Sequence, residues 1–311
     1  MMWRAASTGV CRIDRIPFRK HTDKQMDLTD MDTLRALLAR HDFHFSKSLG
    51  QNFLVRSWVP ERILEVSGID STNGVLEIGP GVGVLTRCLG LHASKVAAVE
   101  LDAKLLPVLS ETLAGFSNVQ IIHQDILKCD LRKLAQEQFA GLEPVVCANL
   151  PYQVTTPVLT KLLESGLFGA LTVMIQKEVA QRVCAKPGTS EYGAFSVFAQ
   201  YHADTEICFD VPPDCFQPRP KVTSSVIRMI SKPAPAELRD EKLFFSLVRS
   251  SFAQRRKTLV NGLSPLFAPQ LDKAKIQESL QACGFDPMVR GETLGIGDYV
   301  KLANYFREIL K

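Results

Sequence analysis

The sequence predicts an α/β fold, a mostly parallel seven-stranded sheet with an antiparallel end, followed by a small all-α C-terminal domain. Three observations predict it. Between residues 74 and 176 short apolar runs alternate with helical patterns, the signature of parallel strands joined by crossover helices. Segments 203–211 and 222–231 then read as strands with no helix between them, so an antiparallel pair is expected at the end of the sheet. From 240 to 311 only helical spacing remains. A chain of 311 residues, 46% hydrophobic and 23% charged, is neither disordered, collagen-like nor of low complexity, and is long enough for about two domains.

The elements follow in order. DTLRALLAR (32–40) puts Leu34, Leu37 and Leu38 on one helical face. SKSLGQNFL (46–54) is a loop of small and polar residues, and a second helix spans 60–67, with Val59, Ile63 and Val66 spaced for burial. Strands are expected at 74–79, 95–101, 119–125, 144–150 and 170–176, separated by helices at 83–91, 102–114, 131–139 and 156–165. Thr155 and Thr156 before Pro157 suit the start of the last of these. The helical region has breaks at Ser264–Pro265 and around Gly284–Gly297.

The expected domains are a basic extension (1–25), a sheet domain (26–232) and a helical domain (233–311), with KPAPAE (232–237) as linker. Residues 1–25 hold six basic and two acidic side chains, so the whole net charge of +4 lies there and the other 31 basic and 31 acidic residues cancel. Three readings stay open for this segment: a disordered extension, an upstream start with Met26 or Met31 as the true beginning, or an organellar transit peptide. No run of about 18 apolar residues exists, so no membrane span is expected. None of the eight cysteines forms a CxxC pair and no His pair has ligand spacing. Reduced thiols in an intracellular protein, without a metal site, are therefore expected.

LEIGPGVGVLT carries Gly79, Gly81 and Gly83 directly between a strand and a helix, where glycine permits positive φ and close approach to a ligand. In neither register does the third glycine of a pyrophosphate fingerprint appear: Val84 or Thr86 stands in its place. Glu100, about 20 residues on at the next strand end, can accept from both hydroxyls of a ribose. Asp125, at the end of the third strand, can accept from an adenine amino group. Each alone could be a solvated strand end. Together they favour an adenosyl ligand without a pyrophosphate, and S-adenosyl-L-methionine fits.

ANLPY (148–152) closes the fourth strand at the same crevice. A turn built from Asn and Pro is the bland reading. The chemical one begins from the exocyclic amine of adenine, a poor nucleophile because its lone pair is delocalised into the ring. The Asn149 side-chain oxygen and a nearby backbone carbonyl can accept its two N–H bonds and aim the lone pair at a methyl donor. Pro151 fixes the backbone and Tyr152 can stack on the base. Positioning and electrostatics then carry most of the catalysis, with no metal and no strong base, on a base taken out of its stack.

SKSLGQNFL, LEIGPGVG, VELD, QDIL, NLPY, VPPDCFQPRPKV and FAQRRKTLVNGL occur in this order from about Asp27 to the C-terminus. The series resembles the ribosomal RNA adenine dimethyltransferase family (KsgA type). The resemblance implies a Rossmann-like S-adenosylmethionine-dependent methyltransferase domain. It implies dimethylation of two adjacent adenosines in the 3′-terminal hairpin of small-subunit (16S) rRNA during subunit assembly, by a cytoplasmic, membrane-free monomer, or a mitochondrial protein if residues 1–25 are a transit peptide. By position, Asn52 and Leu54 line the methionine side of the cofactor, Gly79 and Gly81 approach it through the backbone, Glu100 holds its ribose and Asp125 its adenine. Asn149 contacts both the cofactor and the target amine, and with Leu150, Pro151 and Tyr152 it forms the catalytic segment, with Tyr152 and Phe216 sandwiching the target base. Relatives often carry a second aromatic after NLPY, where this chain has Gln153. Two rivals are a large-subunit rRNA adenine methyltransferase and a non-catalytic nucleic-acid-binding relative of the mitochondrial transcription factor type.

Two stretches without acids, 215–232 and 242–262, supply Arg219, Lys221, Arg249, Arg255, Arg256 and Lys257 as candidate rRNA contacts. Arg249 and Arg256, seven apart, are expected to share a helix face. Solvated faces are the bland reading of both clusters, and a core anchor that of Phe216 between its prolines.

Overall fold

The computed structural model describes residues 26–46 and 50–310. The extension expected at 1–25 and the middle of the 46–54 loop lie outside the described residues. Helix α1 (Met31–Arg40) begins at Asp30, whose carboxylate accepts from the Thr33 N–H at 2.8 Å, and buries Leu34, Leu37 and Leu38. Strand β1 (Phe53–Leu54) and helix α2 (Trp58–Ser67) lead into the sheet. Its first four parallel strands are β2 (Asn73–Ile78), β3 (Lys95–Glu100), β4 (Val119–His123) and β5 (Glu143–Asn149), interleaved with α3 (Val84–Gly90), α4 (Leu106–Thr112) and α5 (Leu131–Gln138). Then come α6 (Thr155–Ser165), β6 (Ala170–Gln176), α7 (Lys177–Val183), α8 (Ala194–His202), β7 (Ala203–Val211), β8 (Phe216–Gln217) and β9 (Ser224–Ser231).

The seven-stranded sheet runs β4-β3-β2-β5-β6-β9-β7, parallel from β4 to β6 and antiparallel at β9. Strand β2 is buried at all six positions because helices cover both faces. Leu76 and Ile78 pack with α5 and α6 on one face. Val75 packs with Val59 and Ile63 of α2 and Leu85 and Leu89 of α3 on the other. Chain direction across the sheet reverses at β2, which has β3 on one side and β5 on the other. Such a switch point leaves a crevice at the carboxyl ends of the strands.

Several local expectations need correction. The helix expected over 102–114 opens as a 3-10 turn (Ala103–Leu105) before α4. Thr155 and Thr156 do not cap α6. A 3-10 turn over Tyr152–Val154 runs straight into the helix, and the Thr155 hydroxyl donates to the Pro151 carbonyl at 3.1 Å. Helices α7 and α8 were not anticipated: AFSVFAQYH is apolar nearly all round, and a short apolar run shows no period of its own. The loops that contain β1 and β8 meet as a two-residue antiparallel pair, Leu54 opposite Phe216.

The C-terminal region contains α9 (Glu241–Ala253), α10 (Leu259–Phe267), α11 (Lys273–Ala282) and α12 (Ile296–Ile309). The break expected at Ser264–Pro265 is absent. Proline costs α10 one N–H bond in its last turn, but buried Leu263 and Phe267 on either side hold that turn in the core. This core also takes in Ala185, Tyr192, Val197 and Tyr201 from the sheet side, and the Tyr192 hydroxyl donates to the Leu294 carbonyl at 2.9 Å. The helices thus close their core against α8. Among the described residues no helix is long and apolar enough to cross a membrane, and the seven described cysteines are unpaired.

Candidate active site

A cleft opens at the switch point, lined by residues from the carboxyl ends of β2, β3 and β5 and from the 50–54 loop. Gly79 and Gly81 turn the chain out of β2 with φ of 68° and 61°. A Cβ on Gly81 would stand 3.0 Å from the Phe53 ring, so only glycine lets the loop pass between the sheet and β1. Glu100 ends β3, buried, with its Oε1 accepting the Asp102 N–H at 2.7 Å. Burial pushes its carboxyl above the usual range, while the N–H groups of Asp102, Leu101 and Gly81 favour the ionised form. Asp125 lies two residues beyond the end of β4. Its Oδ1 accepts from the Leu127 N–H at 2.9 Å.

Asn149 ends β5, and its Nδ2 donates to the Asn52 carbonyl at 3.3 Å. Asn52 in turn donates from Nδ2 to the Gly50 carbonyl at 3.0 Å. With the nitrogen of Asn149 committed to the 50–54 loop, its amide orientation is set and Oδ1 is left as the acceptor. Of the two carbonyls that follow, that of Pro151 accepts from the Val154 N–H at 3.2 Å and from Thr155. The Leu150 carbonyl is the remaining candidate beside Asn149. The Tyr152 hydroxyl bonds Ser224 Oγ at 2.7 Å, which anchors the ring at the wall of the cleft, and burial raises its pKa.

Asn52, Leu54, Gly79, Gly81, Glu100, Asp125, Asn149, Leu150, Pro151 and Tyr152 thus all line one cleft. Phe216 does not. It is 3% exposed and packs with Leu54, Met174 and Val226, so this conformation holds the core-anchor alternative and not the base sandwich. The reason is its pairing with Leu54, which places an apolar ring over an apolar core. Among the cleft residues that the sequence reading passed over, two carry polar chemistry of note, Gln51 and Glu77. Gln51 accepts the Ser46 N–H through Oε1 at 2.8 Å and donates from Nε2 to Asp102 Oδ2 at 2.7 Å. It thereby ties the loop to the segment that holds Glu100, and nothing in the sequence marks it. Glu77 did carry a signal, as an acid in the middle of a strand buried on both faces.

The basic clusters divide. Arg219 and Lys221 are exposed, whereas Lys232 pairs with Asp204 at 2.7 Å. Helix α9 stops at Ala253, so Arg256 does not share a helix face with Arg249. The chain breaks at Gln254, and the Leu259 N–H bonds the Val289 carbonyl at 2.7 Å, which leaves Arg255, Arg256 and Lys257 on an exposed turn. Arg255 is engaged there with Glu292 at 3.3 Å and the Ser190 carbonyl at 2.9 Å.

This geometry agrees with what known proteins show. The family model described as Ribosomal RNA adenine dimethylase matches residues 42–307. The chain belongs to the ribosomal RNA adenine dimethylase family. That makes it an rRNA adenine dimethyltransferase, as the order of its motifs implied. It is 45% identical over 282 residues to Ribosomal RNA small subunit methyltransferase A of Geobacillus thermodenitrificans, covering 89% of this chain and 96% of that one. To the protein of the same name from Bacillus cytotoxicus it is 47% identical, covering 89% and 97%. A dimethyladenosine transferase from Plasmodium falciparum shares the fold with a TM-score of 0.71 at 24% identity, over 83% of this chain and 98% of that one. The 23S rRNA methyltransferase ErmE does so at 0.64 and 23%, over 82% and 100%.

Proposed function

We propose that this chain dimethylates the exocyclic amines of two adjacent adenosines in the terminal hairpin of small-subunit rRNA, with S-adenosyl-L-methionine as donor. The observation that carries the reading is the Asn149 amide, tied through Nδ2 to the Asn52 carbonyl in a cleft that Gly79, Gly81, Glu100 and Asp125 also line. The residues present fit that donor. Glu100 offers a buried carboxylate at the end of β3, and Asp125, with Oδ1 on the Leu127 N–H and Oδ2 4.0 Å from Lys128 Nζ, accepts from an adenine amine. The glycine turn leaves room for a backbone approach. Bound there, the sulfonium supplies an electrophilic methyl group.

Asn149 Oδ1 and the Leu150 carbonyl accept the two N–H bonds of the target amine. This localises its lone pair and aims it along the transfer axis, so orientation replaces strong-base chemistry. Tyr152, held by Ser224, stacks on the base. Once the N–C bond forms, the nitrogen is cationic and acidic and gives its proton to solvent. The 45% identity to small-subunit enzymes over nearly the whole chain supports the small subunit over the large. Asn149, Pro151 and Tyr152, all in the cleft, argue for catalysis over a non-catalytic role. The test is to offer small subunits from a strain lacking the modification, with labelled donor, and map the labelled nucleotides. Label on two adjacent adenosines near the 3′ end supports the reading, and label elsewhere refutes it.

Two further results are expected. Glu100→Ala weakens donor binding by roughly 10- to 100-fold, the worth of one or two hydrogen bonds to a carboxylate. An unchanged calorimetric Kd would remove Glu100 from the site. Replacing Arg256 and Lys257 together with alanine lowers the salt slope of subunit binding by roughly 1–2. If neither affinity nor slope moves, the turn is only a solvated face.

A further inference from the structure

Glu77 is the one acid inside β2, 1% exposed, and it lines the same cleft. The hydroxyl of Thr86, 0% exposed in α3, faces the carboxyl and favours its ionised form, while Glu77 Oε2 is buried with no partner within hydrogen-bond distance. Leaving a buried carboxyl oxygen unsatisfied costs about 1–3 kcal/mol. The groups that act electrostatically with it are all acids: Glu100 on β3, Cys88 on α3 and Cys147 on β5. Burial keeps both thiols protonated near neutral pH, so they bring no charge. Burial, with Glu100 adding to it, pushes the Glu77 carboxyl up to about 8.

We propose that Glu77 is the group by which the cleft distinguishes a cationic methyl donor from its neutral demethylated product, un-ionised when the cleft is empty or holds product and ionised when the sulfonium is bound. This rests on the donor proposed above. The two ligands differ by one methyl and one positive charge, and the glycine turn, Glu100 and Asp125 would meet groups common to both. A buried carboxyl is the element able to respond to the difference. Binding the cation expels the Glu77 proton to solvent. When the methyl leaves, the S–C bonding pair stays on sulfur, the cation disappears, and Glu77 takes a proton back from solvent. Product then loses its electrostatic advantage and yields the cleft to fresh donor, which a reaction consuming four donors per substrate requires.

The test is calorimetric titration of the full chain at pH 7.5 with S-adenosyl-L-methionine and, separately, S-adenosyl-L-homocysteine, each in two buffers of different ionisation enthalpy. The sulfonium lowers the pKa of the donor's amino group, so the titration is repeated at pH 6.5, where the amino groups of both ligands are protonated and cancel, and the excess release is read there. The expected result is that the donor releases about half a proton or more beyond the product. Glu77→Gln abolishes this excess and lowers the donor-to-product affinity ratio about tenfold. If that variant does not fold, the wild type still decides: donor affinity should rise with pH up to about 8 relative to product affinity. Equal proton release for the two ligands, a flat affinity ratio with pH, or an excess that survives in Glu77→Gln would overturn the assignment. Failure of both ligands to bind would instead refute the donor itself.

Discussion

Asn149→Ala is expected to lower turnover on undermethylated small subunits by about 10³-fold or more, roughly 4 kcal/mol of transition-state stabilisation. The substitution removes the acceptor for the target amine. It also removes the Nδ2 donor that binds the Asn52 carbonyl, so the 50–54 loop loses its tie to β5. Donor affinity should fall far less than turnover, because Glu100, Asp125 and the glycine turn are untouched. The fold should survive, since Asn149 is half-buried at a strand end and not in the core. Single-turnover assays with calorimetry separate the two effects. Near-normal turnover would refute the assigned role.

Phe306→Ala is expected to be the most damaging change far from the cleft. The ring is fully buried and stacks on Phe267 with centroids 4.4 Å apart, in the core that α9, α10 and α12 share with α8. Deleting a buried phenylalanine costs about 3–5 kcal/mol, which in a chain of this size lowers Tm by roughly 10 °C. Donor binding to the folded protein should be unchanged, because the residue touches a different cluster from those around the cleft. A Tm shift of only one or two degrees would show that the helical region is not the cooperative unit its packing implies.

The parallel strands were legible because each is a short apolar run closed by chemistry at its carboxyl end. Glycine follows β2, Glu100 ends β3 and Asn149 ends β5, and any α/β sheet gathers such ends at one crevice. That is why the strand-end residues read from the sequence meet in one cleft, where Asn52 and Leu54 of the 50–54 loop join them. Segments whose conformation depends on a distant partner were not legible. Nothing in Gln51 announces Asp102, the two strands of the β1–β8 pair are too short to show a period, and Phe216 reads equally as base platform or core anchor until Leu54 lies opposite it. Arg249 and Arg256 have helical spacing, but Gln254 leaves helical geometry at φ −135° and ψ 67°, which ends the helix before Arg256.

By itself, then, the sequence determined the alternation of strands and helices up to β6, the crevice at their carboxyl ends and the residues of its rim, because periodicity, glycine and strand-end acids act through the local chain. Tertiary structure decided which amide nitrogen is committed and which oxygen is left free, which arginine is already paired, and that a carboxyl in β2 lies buried at the cleft. Those facts depend on contacts between residues up to about a hundred positions apart, where chain connectivity carries no information and only packing does.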